Sequence, residues 1–126
     1  MRKEILNIIS NVKDKKIELI NLGITDDELP EILKYISKHQ PKISCLCLNN
    51  NQLTDKSAEK LVQLLSEVKG LVLLDLQSNH FTNQALPTLY QLKGSLPQLK
   101  FGLAGNHHLN AGLVDALTKS YRQAGL

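Results

Sequence analysis

ISCLCLNNNQLTDKSAEKLVQLL (43–65) and LVLLDLQSNHFTNQALPTLYQLK (71–93) align without a gap at an offset of 28 residues. Ile43, Leu46, Leu48, Asn51, Leu53, Thr54, Leu61 and Leu64 fall on Leu71, Leu74, Leu76, Asn79, Phe81, Thr82, Leu89 and Leu92. A fixed internal period of this length decides the whole fold, so it is read before any single element. Each unit changes period halfway. Its LxLxxN stretch alternates, as a short strand does. The stretch after it carries apolar residues at helical spacing, such as Ala58, Leu61, Leu64 and Leu65.

The unit extends both ways. IELINLGITDDELPEILKYI (17–36) matches the second unit at an offset of 29, with Ile17, Leu19, Ile24, Thr25, Ile32 and Ile36 on Leu46, Leu48, Leu53, Thr54, Leu61 and Leu65. Downstream, Phe101, Leu103 and Asn106 match Leu74, Leu76 and Asn79 at 27. One residue is then inserted around His107–His108. Leu109, Asn110, Val114 and Leu117 resume the match, on Phe81, Thr82, Leu86 and Leu89.

Between strand and helix stands a helix-start signal. Thr25 followed by Glu28 has the spacing of a capping box, and Thr54, Thr82 and Asn110 occupy the equivalent N-cap position. Asn51, Asn79 and Asn106 stand where the chain turns. An amide side chain carries both donor and acceptor, so stacked Asn residues should form an internal ladder that satisfies the turn's backbone. The first unit has Leu22 there, as terminal units are often atypical. Residues 1–16 hold Ile5, Leu6, Ile8, Ile9 and Val12 on a helical face suited to cap the first unit. A last helix over about 110–122, with Asp115, Lys119, Ser120 and Arg122 beside Val114, Leu117 and Tyr121, should close the other end.

The spacing LxxLxLxxNxLxxxxxxxLxxxL resembles leucine-rich repeats of the ribonuclease-inhibitor type, across about residues 17–120. The resemblance implies an α/β solenoid in one domain, 1–126. A short curved parallel sheet of about four strands would form the concave face, with helices on the convex face. Its parts would be a capping segment 1–16 and repeats 17–42, 43–70, 71–97 and 98–126. The family includes ribonuclease inhibitors, activators of a nuclear-transport GTPase, actin-filament capping proteins and bacterial effectors. It therefore implies protein binding through the concave face and names no partner.

Alternation places the residues between the core leucines on that face. They include Lys16, Glu18, Ile20 and Asn21, then Cys45, Cys47, Asn49 and Asn50, then Leu73, Asp75, Gln77 and Ser78, and last Lys100, Gly102, Ala104 and Gly105. The expected partner-binding set is Glu18, Ile20, Cys45, Cys47, Asn49, Leu73, Asp75, Gln77 and Lys100. An exposed row of Ile, Cys and Leu is unusual without a use.

Other chemistry is poorly supplied. There is no GxSxG, phosphate-binding glycine loop or HExxH, so no enzyme, cofactor or metal is expected. Cys45 and Cys47 lie on one strand face and read as two reduced thiols, with no His to complete a metal set. His80 and His107 each follow a ladder Asn, with His108 adjacent, and read as polar loop residues. Asp26, Asp27 and Glu28 sit at a helix start, where the helix dipole accounts for negative charge.

The net charge of +3 is scattered and aromatics make up 4% of residues, which argues against a nucleic-acid stripe. No apolar run is long enough to span a bilayer, and the first residues lack a secretory cleavage pattern. Two closely spaced cysteines fit a reducing, cytoplasmic setting, the alternative being a bacterial effector delivered into a host cell. The rival functional readings are a small-GTPase regulator, by resemblance alone, and a self-associating structural protein.

Overall fold

The computed structural model describes residues 1–110, 112–114 and 117. Most of the final helix expected over 110–122 lies outside them. The elements run in order as α1 (Lys3–Ser10), β1 (Lys16–Glu18), α2 (Leu29–His39), β2 (Cys45–Cys47), α3 (Ala58–Leu65), β3 (Leu73–Asp75), α4 (Leu86–Ser95) and β4 (Lys100–Gly102). The strands form one parallel sheet in sequence order, β1-β2-β3-β4. The α/β expectation with about four parallel strands is what the structure shows.

Register follows the sequence alignment. Ile17 pairs with Leu46, Leu46 with Leu74, and Leu74 with Phe101. These residues are fully buried against helix residues such as Leu33, Ile36, Leu61, Leu65 and Leu89. A strand of three residues has little hydrogen bonding of its own. Burial of one side chain per strand and one helical stripe per unit holds each layer, at roughly 1.5–3 kcal/mol per large apolar residue.

Helix starts confirm the N-cap reading except at the first. Thr54 and Thr82 accept hydrogen bonds from the Lys56 and Gln84 N–H groups, each opening a short 3-10 turn before α3 or α4. Asn110 accepts from Gly112 N–H in the same way. The Thr25–Glu28 capping box does not form. Glu28 instead pairs with Arg2, 3.0 Å from its Nε, because α1 brings that guanidinium against the first turn.

The helix α1 packs against the first unit. It buries Ile5 and Ile9, and Gln40 Nε2 donates to the Ile9 carbonyl. Arg2 also donates to the Leu22 carbonyl at 2.7 Å. The cap thereby supplies a cationic donor to the backbone of the atypical Leu22.

Candidate functional site

The face of the sheet turned away from the helices carries three rows. Lys16, Cys45, Leu73 and Lys100 are in register across the four strands, as are Glu18, Cys47, Asp75 and Gly102. Asn49 and Gln77 follow at the strand ends. All nine expected partner-binding residues belong to this side or to the turns beside it.

Their exposure is uneven, which corrects the expectation of an exposed row. Cys45 and Cys47 are only 9% and 5% exposed, Leu73 6% and Asp75 5%. Cys45, Cys47 and Leu73 form a small apolar cluster separate from the main core. The cause is strand spacing. At about 4.8 Å between strands, short side chains on β2 and β3 are shaded from both sides by their neighbours. Glu18 on the outer strand and Ile20 just beyond it remain exposed, and Asn49, Gln77 and Lys100 are half-buried.

Asp75 is fixed in place. Asn49 Nδ2 donates to Oδ2 at 2.8 Å, and Gln77 Nε2 reaches both carboxylate oxygens at 2.9 and 3.0 Å. Asn49 Oδ1 is buried with no hydrogen-bond partner among the described residues. The two thiols are free, with their Sγ atoms 3.6 Å apart. Their contact splits the pair. The hydrogen bond with Cys47, helped by Lys16, outweighs burial and lowers the Cys45 pKa. The same contact, with burial and the charges of Cys45 and Asp75, pushes Cys47 up.

Beyond the strands the chain turns through a left-handed residue in every unit: Asn21, Asn50, Ser78 and Gly105, with φ of 57, 61, 56 and 79°. Asn tolerates this conformation and Gly adopts it freely. At position 105 only Gly fits, since a Cβ would stand 2.7 Å from Ser78 Oγ and 3.1 Å from its backbone nitrogen. These turns line a polar groove of about 420 Å³ shared by Asn21, Asn50, Gln52, Ser78, His80 and His107. His80 pairs with Thr54 and His108 with Thr82, as Gln52 does with Thr25. The equivalent of His80 is therefore His108, and His107 is the inserted residue. Among the described residues no group of three side chains able to ligate a metal is gathered.

The Asn ladder is formed. Asn51 Oδ1 accepts from Leu22 and Ile24 N–H, both at 3.0 Å, while its Nδ2 donates to the Leu19 and Leu48 carbonyls. Asn79 serves Leu53 N–H and the Leu48 and Leu76 carbonyls. Asn106 serves Phe81 N–H and the Leu76 and Leu103 carbonyls.

A second ladder escaped sequence reasoning. Asp26 accepts from Thr54 N–H and Oγ1 and from the Ser57 hydroxyl. Asp55 accepts from Thr82 N–H and hydroxyl, and Asn83 from Asn110 N–H. Asp26 and Asp55 therefore each tie one helix start to the next, and Asn83 ties the start of α4 to the turn at Asn110. The helix dipole alone would account for Asp26, but its main work is to bind the neighbouring unit. Burial raises its pKa, yet the bonds from Ser57 and Thr54 prevail and hold it below the ordinary 3.8.

A carboxylate with a depressed folded pKa contributes stability above its unfolded value and loses it as pH falls through the folded one. Unfolding free energy should therefore drop on acidification below pH 3.8. In Asp26→Asn that drop should be smaller, as read by urea unfolding across a pH series. Parallel profiles for the two proteins would contradict the assignment.

No family model matches the chain, and no curated protein matches it. Among the described residues, no helix is long and apolar enough to cross a membrane.

Proposed function

We propose that this chain is a leucine-rich-repeat solenoid of the ribonuclease-inhibitor type, and that it binds a partner protein rather than catalysing a reaction. The observation that carries the reading is the in-register array of side chains across four parallel strands, on the face that no helix covers. Such an array offers a rigid surface whose chemistry is set strand by strand. Its centre is small, apolar and braced by Asp75. Its free groups lie at the margins: Glu18 and Ile20 on one side, Lys100 on the other.

The strands alone are too narrow for a standard contact. Four strands span about 14 Å at their usual spacing, whereas a stable interface takes about 800 Å² from each partner. The polar groove of the turns, lined by Asn21, Asn50, Ser78, His80 and His107, adjoins the strands and supplies the remaining surface.

The test uses the exposed margin. Ile20→Asp combined with Glu18→Lys should leave the thermal melt within about 0.5 kcal/mol of the parent, as surface changes do. It should reduce capture of a protein partner from cell lysate at least tenfold. Undiminished capture by the double variant would refute this surface.

A further inference from the structure

Cys45 and Cys47 are soft donors at the sheltered centre of the proposed binding face. Alternation along β2 sends both side chains to one face. Their sulfurs stand 3.6 Å apart, unoxidised and nearly closed to solvent. We propose that Cys45 and Cys47 form a two-thiolate site for one thiophilic monovalent metal ion, Cu(I). The site lies on the same sheet face as the proposed protein-binding surface, but it rests on the thiol geometry and not on partner binding.

The spacing suits chelation. With metal–thiolate bonds of about 2.3 Å, sulfurs this far apart close an angle of roughly 100° at the ion. That leaves a further position for water or a small thiol. The number of donors chooses the metal. Structural zinc takes four protein ligands, and no third metal-capable side chain joins these two among the described residues. Two thiolates alone favour a soft ion content with few ligands, and thiolate selects Cu(I) over harder cations.

The surroundings favour a cation and protect it. Glu18 and Asp75 flank Cys47 in register on either side, one strand spacing away, so the site lies between two carboxylates. Asp75 acts there as fixed charge, since Asn49 and Gln77 hold its oxygens. Leu73, beside Cys45 on β3, shields the sulfurs from water. Binding forms two Cu–S bonds and releases the two thiol protons to solvent. No electron changes hands.

The experiment is an anaerobic titration of the intact chain with Cu(I) buffered by the chromophoric chelator bicinchoninate. The expected result is one Cu(I) withdrawn per chain, with a new near-ultraviolet sulfur-to-copper band. Both should vanish in Cys45→Ser and in Cys47→Ser, and persist in His80→Ala. X-ray absorption on the copper-loaded wild type, which needs no variant to fold, should find two sulfur neighbours. Failure of the wild type to compete, retention of binding in either Ser variant, a copper shell of nitrogen and oxygen alone, or equally tight binding of Zn(II) would each overturn the proposal.

Discussion

Asn51→Leu is expected to cost about 4 kcal/mol of unfolding free energy, the largest loss of any single ladder change. Leu has the branched shape and heavy-atom count of Asn but larger methyl ends, so the change removes the hydrogen bonds and adds some overpacking at a buried site. Two N–H groups, of Leu22 and Ile24, lose the oxygen they share. The Leu19 carbonyl loses the Asn51 amide as well. The Leu48 carbonyl keeps a second donor in Asn79. Each buried group left unpaired costs about 1–3 kcal/mol, and Leu22 is partly open, so the sum falls below the maximum. Asn79→Leu orphans only Leu53 N–H, because Leu48 and Leu76 retain the amides of Asn51 and Asn106. It should cost about 2–3 kcal/mol. Urea unfolding with an unchanged m-value reads both. A loss at Asn51 no larger than at Asn79 would show that the Leu22 turn is re-satisfied by solvent.

The ladder was legible in the sequence because its chemistry is written in one residue type at one spacing. A buried turn needs a donor and an acceptor together, and Asn51, Asn79 and Asn106 recur where that turn must be. Strand register was legible for the same reason: Ile17, Leu46, Leu74 and Phe101 line up in the alignment as they do in the sheet. The second ladder was equally present as Thr25-Asp26, Thr54-Asp55 and Thr82-Asn83. It was missed because a carboxylate at a helix start already has a sufficient local explanation. Only the three-dimensional stacking shows that its hydrogen bonds leave its own helix for the next one.

Exposure was the least legible property. Alternation correctly assigns Cys45, Cys47, Leu73 and Asp75 to the face without helices, but a facing direction is not an accessible area. The sides of a side chain are covered by neighbouring strands, and only the outer strand has a free side. Ile20 therefore stays 41% exposed while Leu73 is 6% exposed. Likewise, the Thr25–Glu28 spacing could not reveal that Arg2, more than twenty residues upstream, would claim the Glu28 carboxylate.

Leu73 and Ile20 are isomeric side chains on the same face, and replacing each with Asp should have unequal effects. Leu73→Asp is expected to destabilise the protein by about 3 kcal/mol at neutral pH, whereas Ile20→Asp should cost no more than about 0.5. At position 73 the change gives up about 2 kcal/mol of apolar burial against the two thiols. It also sets a short carboxylate where it cannot reach open water, two residues from Asp75 on the same strand face. Lys100, in register on β4, offsets part of this. The pH dependence separates the two causes. Shelter and the neighbouring charge raise the introduced carboxyl's folded pKa above its unfolded value of about 3.9. Its charge penalty is then absent below that value, grows as pH rises toward the folded pKa, and levels off above it. The deficit against wild type should therefore shrink in acid, opposite in sign to the acid loss assigned to Asp26. Leu73→Asn, which carries no charge, should show a deficit that does not change with pH. Equal losses at positions 20 and 73, or a pH-independent deficit for Leu73→Asp, would mean that the centre of this face is open. A fall in partner capture on changing Leu73 would then report contact, where the buried arrangement makes it a report of damaged structure.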